Sequence, residues 1–279
     1  MQFPEFYIAR LPRILFGKGQ IDELPAVVAE YGRRALIVTG KRSLRGSAHW
    51  TRLAGYLREL GVQWHEFSVG DEPSPALIDR AVQHFRDDDI QVVAGIGGGS
   101  VVDAAKAIAG LLPLGHSVMD YLEDVGKGLP YEGPSLPFIA VPTTAGTGSE
   151  ATKNAVLSVR GDQGYKKSFR HEQLVARMAI IDPQLLESCP PELMAAQGMD
   201  AFTQLMESYV SVRANPFTDA LALSGLEAFR EGFFPAWEGG PGEKADQGRA
   251  SMAYAATLSG ITLAQVGLGS VHGLAQPLR

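Results

Sequence analysis

The sequence predicts an α/β protein, a parallel sheet with helices on both faces, followed by a purely helical region. Three observations carry that prediction. Short apolar runs alternate with helical patterns from residue 34 to residue 183, the pattern of strands joined by crossover helices. After Asp182-Pro183 the texture changes: Pro190-Pro191 interrupts the chain, and nearly everything beyond has helical period. Within the first region, GIGGGSVVDAAKA at 95–107 puts four glycines into five positions directly before a helix-forming run.

The elements follow in order. Arg34-Ala35-Leu36-Ile37-Val38-Thr39 reads as a buried strand and 47–60 as an amphipathic helix. A strand is expected at 63–69, a helix at 76–86, a strand at 90–96 and a helix at 100–111. Further strands are expected at 137–141 and 178–181, and helices at 199–212, 219–229 and 245–263. The expected division is an α/β domain over 1–185 and a helical domain over 186–279.

Composition narrows the function. The 279 residues, 45% hydrophobic and 20% charged, suit an ordinary globular protein, and a net charge of −6 argues against a general nucleic-acid binder. Cys189 is the only cysteine, so neither an intrachain disulfide nor a thiolate metal cluster is available, and a reducing cytoplasm is expected. Met1-Gln2-Phe3-Pro4-Glu5 lacks the start of a signal peptide, and the most apolar window, 90–114, is broken by Asp103 and Lys106. The expectation is a cytoplasmic homodimer with a small-molecule substrate and no nucleic-acid or membrane partner.

Gly95, Gly97, Gly98 and Gly99 fall at the carboxyl end of a strand, where ligands of open α/β sheets bind. Their backbone can approach a pyrophosphate, and the amides of the next helix point at it. Ser100 and Asp103 also have the Ser-x-x-Asp spacing of a helix cap, so the glycines read equally as a tight, capped turn. Neither the full Gly-x-Gly-x-x-Gly pattern nor a Gly-Lys-Ser/Thr P-loop is present, so a dinucleotide would be held by a variant loop. In AVPTTAGTGSEAT, 140–152, small residues separate the hydroxyls of Thr143, Thr144, Thr147 and Ser149. In GMDAFTQLMESYVS, 198–211, Asp200, Thr203, Gln204 and Glu207 share one helical face, which by default is solvated surface. In VTGKRSL, 38–44, no acid occurs from Gly40 to Gly46, while Lys41, Arg42 and Ser43 offer charge and a hydroxyl. A carboxylate after such a strand would repel a 2′-phosphate, so its absence predicts NADP over NAD.

Together GGGSVVDAAKA, PTTAGTGSE, GMDAFTQLMESYVS and GLGSVHGLAQPL resemble the iron-containing, or group III, alcohol dehydrogenase family. The resemblance implies a Rossmann-like N-terminal domain, a helical C-terminal domain, NADP or NAD, a divalent metal (Fe²⁺ or Zn²⁺), and hydride exchange between an alcohol and an aldehyde or ketone. By position it implies that Gly98, Gly99, Ser100 and Asp103 form the pyrophosphate loop and Thr143, Thr144 and Thr147 a second cofactor loop. Asn154 and Lys166 match further cofactor contacts, and Asp200 and His272 match metal ligands. Gly40 stands where NAD-preferring members have aspartate, which adds Gly40, Lys41 and Ser43 to the cofactor residues. Gln204 and Gln276 stand where the family has histidines, and amide oxygen is a poor ligand for iron or zinc. The chain stops at Arg279, before the segment expected to carry the last histidine ligand, so the helical domain is expected to be incomplete. Two other readings accompany the dehydrogenase: a cofactor-binding protein with little turnover, and a glycerol-dehydrogenase-like enzyme or lyase of the same architecture. With glutamine at 276, no general base is assigned.

Overall fold

The computed structural model describes residues 5–41, 44 and 47–275. They form two compact units: Pro12–Pro142 with Lys153–Ile181, and Met1–Leu11 with Thr143–Thr152 and Asp182–Arg279.

The first unit contains β1 (Arg13–Phe16), α1 (Leu24–Tyr31), β2 (Arg34–Gly40), α2 (Ala48–Glu59), β3 (Gln63–Val69), α3 (Pro75–Phe85), β4 (Val92–Gly97) and α4 (Gly99–Leu111). Then come β5 (Phe138–Pro142), β6 (Asn154–Val159), β7 (Tyr165–Arg170) and β8 (Met178–Ile181). Six strands make an all-parallel sheet in the order β1-β8-β5-β4-β2-β3, and β6 pairs antiparallel with β7. β2 and β4 read as unbroken apolar runs because both their faces are buried. α2 and α3 begin where Ser47 and Ser74 accept the amides of Trp50 and Leu77, each at 3.2 Å, so one orphan donor of each first turn is satisfied. Leu36, Val38, Val93, Val102, Ile108 and Phe138 are among the residues of the main core cluster.

The glycine stretch divides its labour. A methyl group at Gly95 would lie 2.7 Å from Ala105 Cβ, and one at Gly97 2.6 Å from Val101 Cβ. These two glycines therefore let α4 lie directly on β4. The expected Ser100–Asp103 cap is not formed: Gly98 is the N-cap, without a side-chain hydrogen bond, and Ser100 already lies inside the helix. The strand end forces the turn two residues earlier than the capping spacing requires. Two elements had no periodic signal. β1 is an exposed edge strand of four residues, and the β6–β7 hairpin mixes buried and half-exposed positions without clean alternation.

The second unit is built on α5 (Pro191–Tyr209), α6 (Pro216–Glu238), α7 (Glu243–Val266) and α8 (Ser270–Ala275). α6 starts with a reciprocal cap between Asn215 and Thr218. It crosses α7 closely, because a methyl group at Gly232 would lie 2.5 Å from Ser251 Cβ. Residues 143–152 join this unit rather than the contiguous α/β segment expected to hold them. Gly148, at φ 59°, packs against Gly260 of α7 so closely that neither could carry a Cβ. Among the described residues no helix is long and apolar enough to cross a membrane.

Replacing Gly95 with alanine must push α4 away from β4, and overpacking of this kind costs roughly 1–3 kcal/mol. The denaturant midpoint of Gly95→Ala should fall accordingly; an unchanged midpoint would show that the helix is not seated by this glycine.

Candidate functional site

In the α/β unit, β3 lies outside β2, while β5, β8 and β1 lie beyond β4. The carboxyl ends of β2 and β4 thus flank the point where strand order reverses, the usual ligand crevice of such sheets. Thr39 pairs with Ile96, so the strand ends at Gly40 and Gly97 are side by side. Gly98 is extended, at φ −69° and ψ 179°, and with Gly99 and Ser100 it is half-exposed. No side chain caps this end, which leaves first-turn amides of α4 for a ligand or solvent. Asp103 points the other way: it is buried, 3.9 Å from the ammonium of Lys106.

Lys41 follows β2, and its side chain crosses Gly70 at the end of β3, where a Cβ would collide with it. Ser43, with Arg42, lies outside the described residues. Asn154 opens β6, and its carbonyl accepts a 2.6 Å hydrogen bond from Lys106 Nζ. Lys166 on β7 pairs with Glu72 at 3.1 Å. Gly40, Lys41, Gly98, Gly99, Ser100, Asn154 and Lys166 are therefore all in this unit, held by the sheet and its hairpin.

The helical unit holds the remaining sequence-derived residues. Thr143, Thr144 and Thr147 are half-buried, and Thr147 Oγ1 accepts the Ser149 amide at 3.4 Å. Ser149 itself is buried, so its hydroxyl does not join the accessible set. On α5 the polar stripe is not solvated surface, since Gln204 is 5% and Glu207 7% exposed.

Glu207 explains why that face is buried. Its Oε1 accepts the amides of Val271 at 2.7 Å and His272 at 3.1 Å, and its Oε2 meets His272 Nδ1 at 2.6 Å. His272 Nε2 lies 3.2 Å from Asp200 Oδ1. The two residues matched to metal ligands are thus brought together, and Glu207 orients the imidazole from behind. Asp200's hydrogen bond raises the pKa of His272; burial opposes it and Glu207 adds to it. Burial alone would raise Glu207, but the amides of Gly269 and His272 and the imidazole hold it below the usual carboxylate value. From sequence Glu207 reads only as one member of that polar stripe, with no role of its own, because its partners are 64 and 65 residues away.

Among the described residues the donor set does not complete a site for Fe²⁺ or Zn²⁺. Asp200 and His272 are apposed, but Gln204 Oε1 accepts from Ser259 Oγ at 2.8 Å in the interior. Among the described residues no group of three or more His, Cys, Asp or Glu side chains converges as a metal cage. Gln276 lies outside the described residues.

Hydrogen bonds to a charged group contribute about 1.5–3 kcal/mol each, and Glu207 makes three to α8. Glu207→Ala should therefore loosen α8, raising amide exchange at Ser270–Ala275 by more than about tenfold while the interior of α7 stays protected. Equal protection in both proteins would mean that α8 is held by other contacts.

Residues 12–183 match the model of the family described as iron-containing alcohol dehydrogenase, and residues 194–279 match the family's C-terminal model. The chain is 36% identical over 263 residues to long-chain-alcohol dehydrogenase 1 of Geobacillus thermodenitrificans, covering 94% of this chain and 65% of that protein. It is 31% identical over 276 residues to the NADPH-dependent butanol dehydrogenase of Clostridium saccharobutylicum, covering 95% and 66%. A crystal structure of sulfoacetaldehyde reductase from Bifidobacterium kashiwanohense in complex with NAD⁺ superposes with a TM-score of 0.88 at 28% identity, over 99% of this chain and 71% of that one. The chain spans about two thirds of the length of these curated relatives. Two family models in sequence order, the shared fold and the apposition of Asp200 and His272 lead to one conclusion: this chain belongs to the iron-containing alcohol dehydrogenase family.

Proposed function

We propose that the chain binds NADP in preference to NAD over the carboxyl ends of β2 and β4, and serves hydride exchange between an alcohol and its aldehyde or ketone. One observation carries the reading: two strand ends built on glycine, Gly40 and Gly97, lie side by side at the switch point, one followed by Lys41 and the other by an uncapped helix. In this reading the amides around Gly98, Gly99 and Ser100 hold the pyrophosphate, and Asp103 supports that turn from inside. Thr143, Thr144 and Thr147 supply a second cofactor loop, and Asn154 and Lys166 orient the nicotinamide half. Gly40, Lys41 and Ser43 receive the 2′-phosphate. When bound, the dinucleotide supplies the hydride acceptor or donor; the chain's residues bind and orient it. Relatives named for NADPH and for NAD⁺ are both similar to this chain, so cofactor choice rests on the residues after β2. The working form is read as a cytoplasmic homodimer, with 1–185 as the cofactor domain and 186–279 as the substrate domain.

A second reading, dinucleotide binding with little turnover, is favoured by the incomplete donor set around Asp200 and His272. No catalytic step is assigned to a metal on these residues. Glycerol-dehydrogenase-like or lyase chemistry has no comparable observation behind it, and a substrate panel separates it from alcohol oxidation.

Three measurements test these readings. Gly98 is extended, so valine fits its backbone and tests only how closely a ligand approaches. Gly98→Val should abolish dinucleotide binding with helical content unchanged; normal binding would leave the glycines a purely structural role. The unmodified protein should bind NADPH more tightly than NADH at low and moderate salt, and Gly40→Asp should weaken NADPH by about tenfold, about 1.4 kcal/mol. Tighter NADH binding by the unmodified protein at both salts would sink the preference. Lastly, divalent metal should be lost on dialysis against a chelator. One equivalent surviving that treatment would mean that ligands beyond Asp200 and His272 complete the site.

A further inference from the structure

α4 carries a lysine whose flanking positions along the chain are apolar. Lys106 is fully buried, as are Ala105, Ala107 and Ile108 beside it. A charge taken out of water is costly, and an apolar side chain of similar volume is often neutral or stabilising at such a position. The ammonium is not solvated: Nζ donates to the Asn154 carbonyl at 2.6 Å, with Asp103 Oδ1 3.9 Å away. Asn154 is the first residue of β6, and its opposite number on β7 is Arg170. The far end of the same hairpin is tied elsewhere. Ser158 donates its amide to the Pro73 carbonyl at 2.9 Å, and Lys166, opposite Ser158, pairs with Glu72. Other contacts join these two tethers, among them Arg170 with Glu123, Lys167 with Asp124, and Phe169 packed near Gly110 of α4. Of these polar ties, Lys106–Asn154 is the one that leads to the helix that begins at the glycine turn. From Gly99 to Lys106 that helix is a rigid span of about two turns, about 10 Å.

We propose that Lys106 is a positioning residue: its buried ammonium fixes the backbone at Asn154, so that the start of the hairpin and the glycine turn are held at a set spacing for one dinucleotide. This rests on the cofactor site proposed above, two of whose residues, Asn154 and Asp103, lie against Lys106. Through Asn154 and Lys166 the clamp sets the nicotinamide half of the cofactor against the pyrophosphate half. It acts alike on NADPH and NADH, because neither tether involves Lys41.

The test uses the full chain with Lys106→Met, which keeps the volume and loses the donor, and Lys106→Gln, which keeps a shorter neutral donor. Both nucleotides are titrated, unfolding midpoints are measured, and amide exchange is followed without nucleotide. Lys106→Met should raise both dissociation constants about tenfold with their ratio unchanged. Exchange over 154–159 and 165–170 should quicken while α4 stays protected, and the midpoint should remain near that of the unmodified protein. Lys106→Gln should fall between the two in affinity. A lowered midpoint with unchanged affinity in the folded protein would make the lysine merely structural and overturn the proposal. So would unchanged exchange over the hairpin, or failure of both variants to fold. If the unmodified chain binds neither nucleotide, the cofactor reading fails by itself, and the exchange comparison still decides whether the clamp exists.

Discussion

The α/β unit depends on the seating of α4 on β4. A strand buried on both faces needs a helix close against it, and Gly95 and Gly97 remove the two side chains that would keep that helix off. Once α4 is seated, its first turn must emerge beside the end of β4, at the point where the strand order reverses. The same packing that closes the core thus aims the helix amides at the crevice. In the proposed reading the next residues, Gly98 and Gly99, serve the ligand, so that the glycine stretch would answer a packing demand and a binding demand in consecutive positions.

A buried charge fixes a segment in each unit. Glu207 gathers α8 through two amides and an imidazole, and Lys106 gathers the opening of β6 through one carbonyl. Neither arrangement is the cheapest way to fill its space, since buried ion pairs and charges seldom outperform apolar packing. What they contribute is direction. An apolar contact tolerates sliding, whereas a charge with two or three directed hydrogen bonds permits one placement. In the helical unit that placement brings His272 to Asp200.

The sheet and the long helices were legible because they rest on local period. Arg34–Gly40 and Val92–Gly97 are continuous apolar runs, and α5, α6 and α7 repeat at helical spacing, although α6 and α7 extend past their sequence-derived limits and α5 begins earlier and ends at Tyr209, short of 212. The β6–β7 hairpin was not legible, because Ser158 is buried and Lys166 and Lys167 are only half-exposed, which erases the alternation a strand is recognised by. The cap was misread for a related reason: Ser-x-x-Asp is a local signal, and the strand end overrides it. Asp200 and His272 were found through motif resemblance, while Glu207 needed the fold, because its bonds to α8 leave no trace within its own helix. Lys106 did leave a trace, as a lone cation in an otherwise apolar helix. Its partner could not be named until β6 was known to exist.

The two groups of candidate residues differ in how many of their partners lie among the described residues, and that difference underlies the second reading proposed above. The turn at Gly97–Gly99, the strand end at Gly40 and the hairpin lie within one unit, tied by Lys106–Asn154 and Lys166–Glu72. In the proposed reading, dinucleotide affinity would be set by that unit's own packing. The apposition of Asp200 and His272 is equally definite, yet Gln204 is committed to Ser259. A neutral amide whose oxygen already accepts a hydrogen bond in a dry interior has little to give a cation. In the proposed reading, cofactor binding and metal retention therefore rest on different residues, and the one need not follow the other.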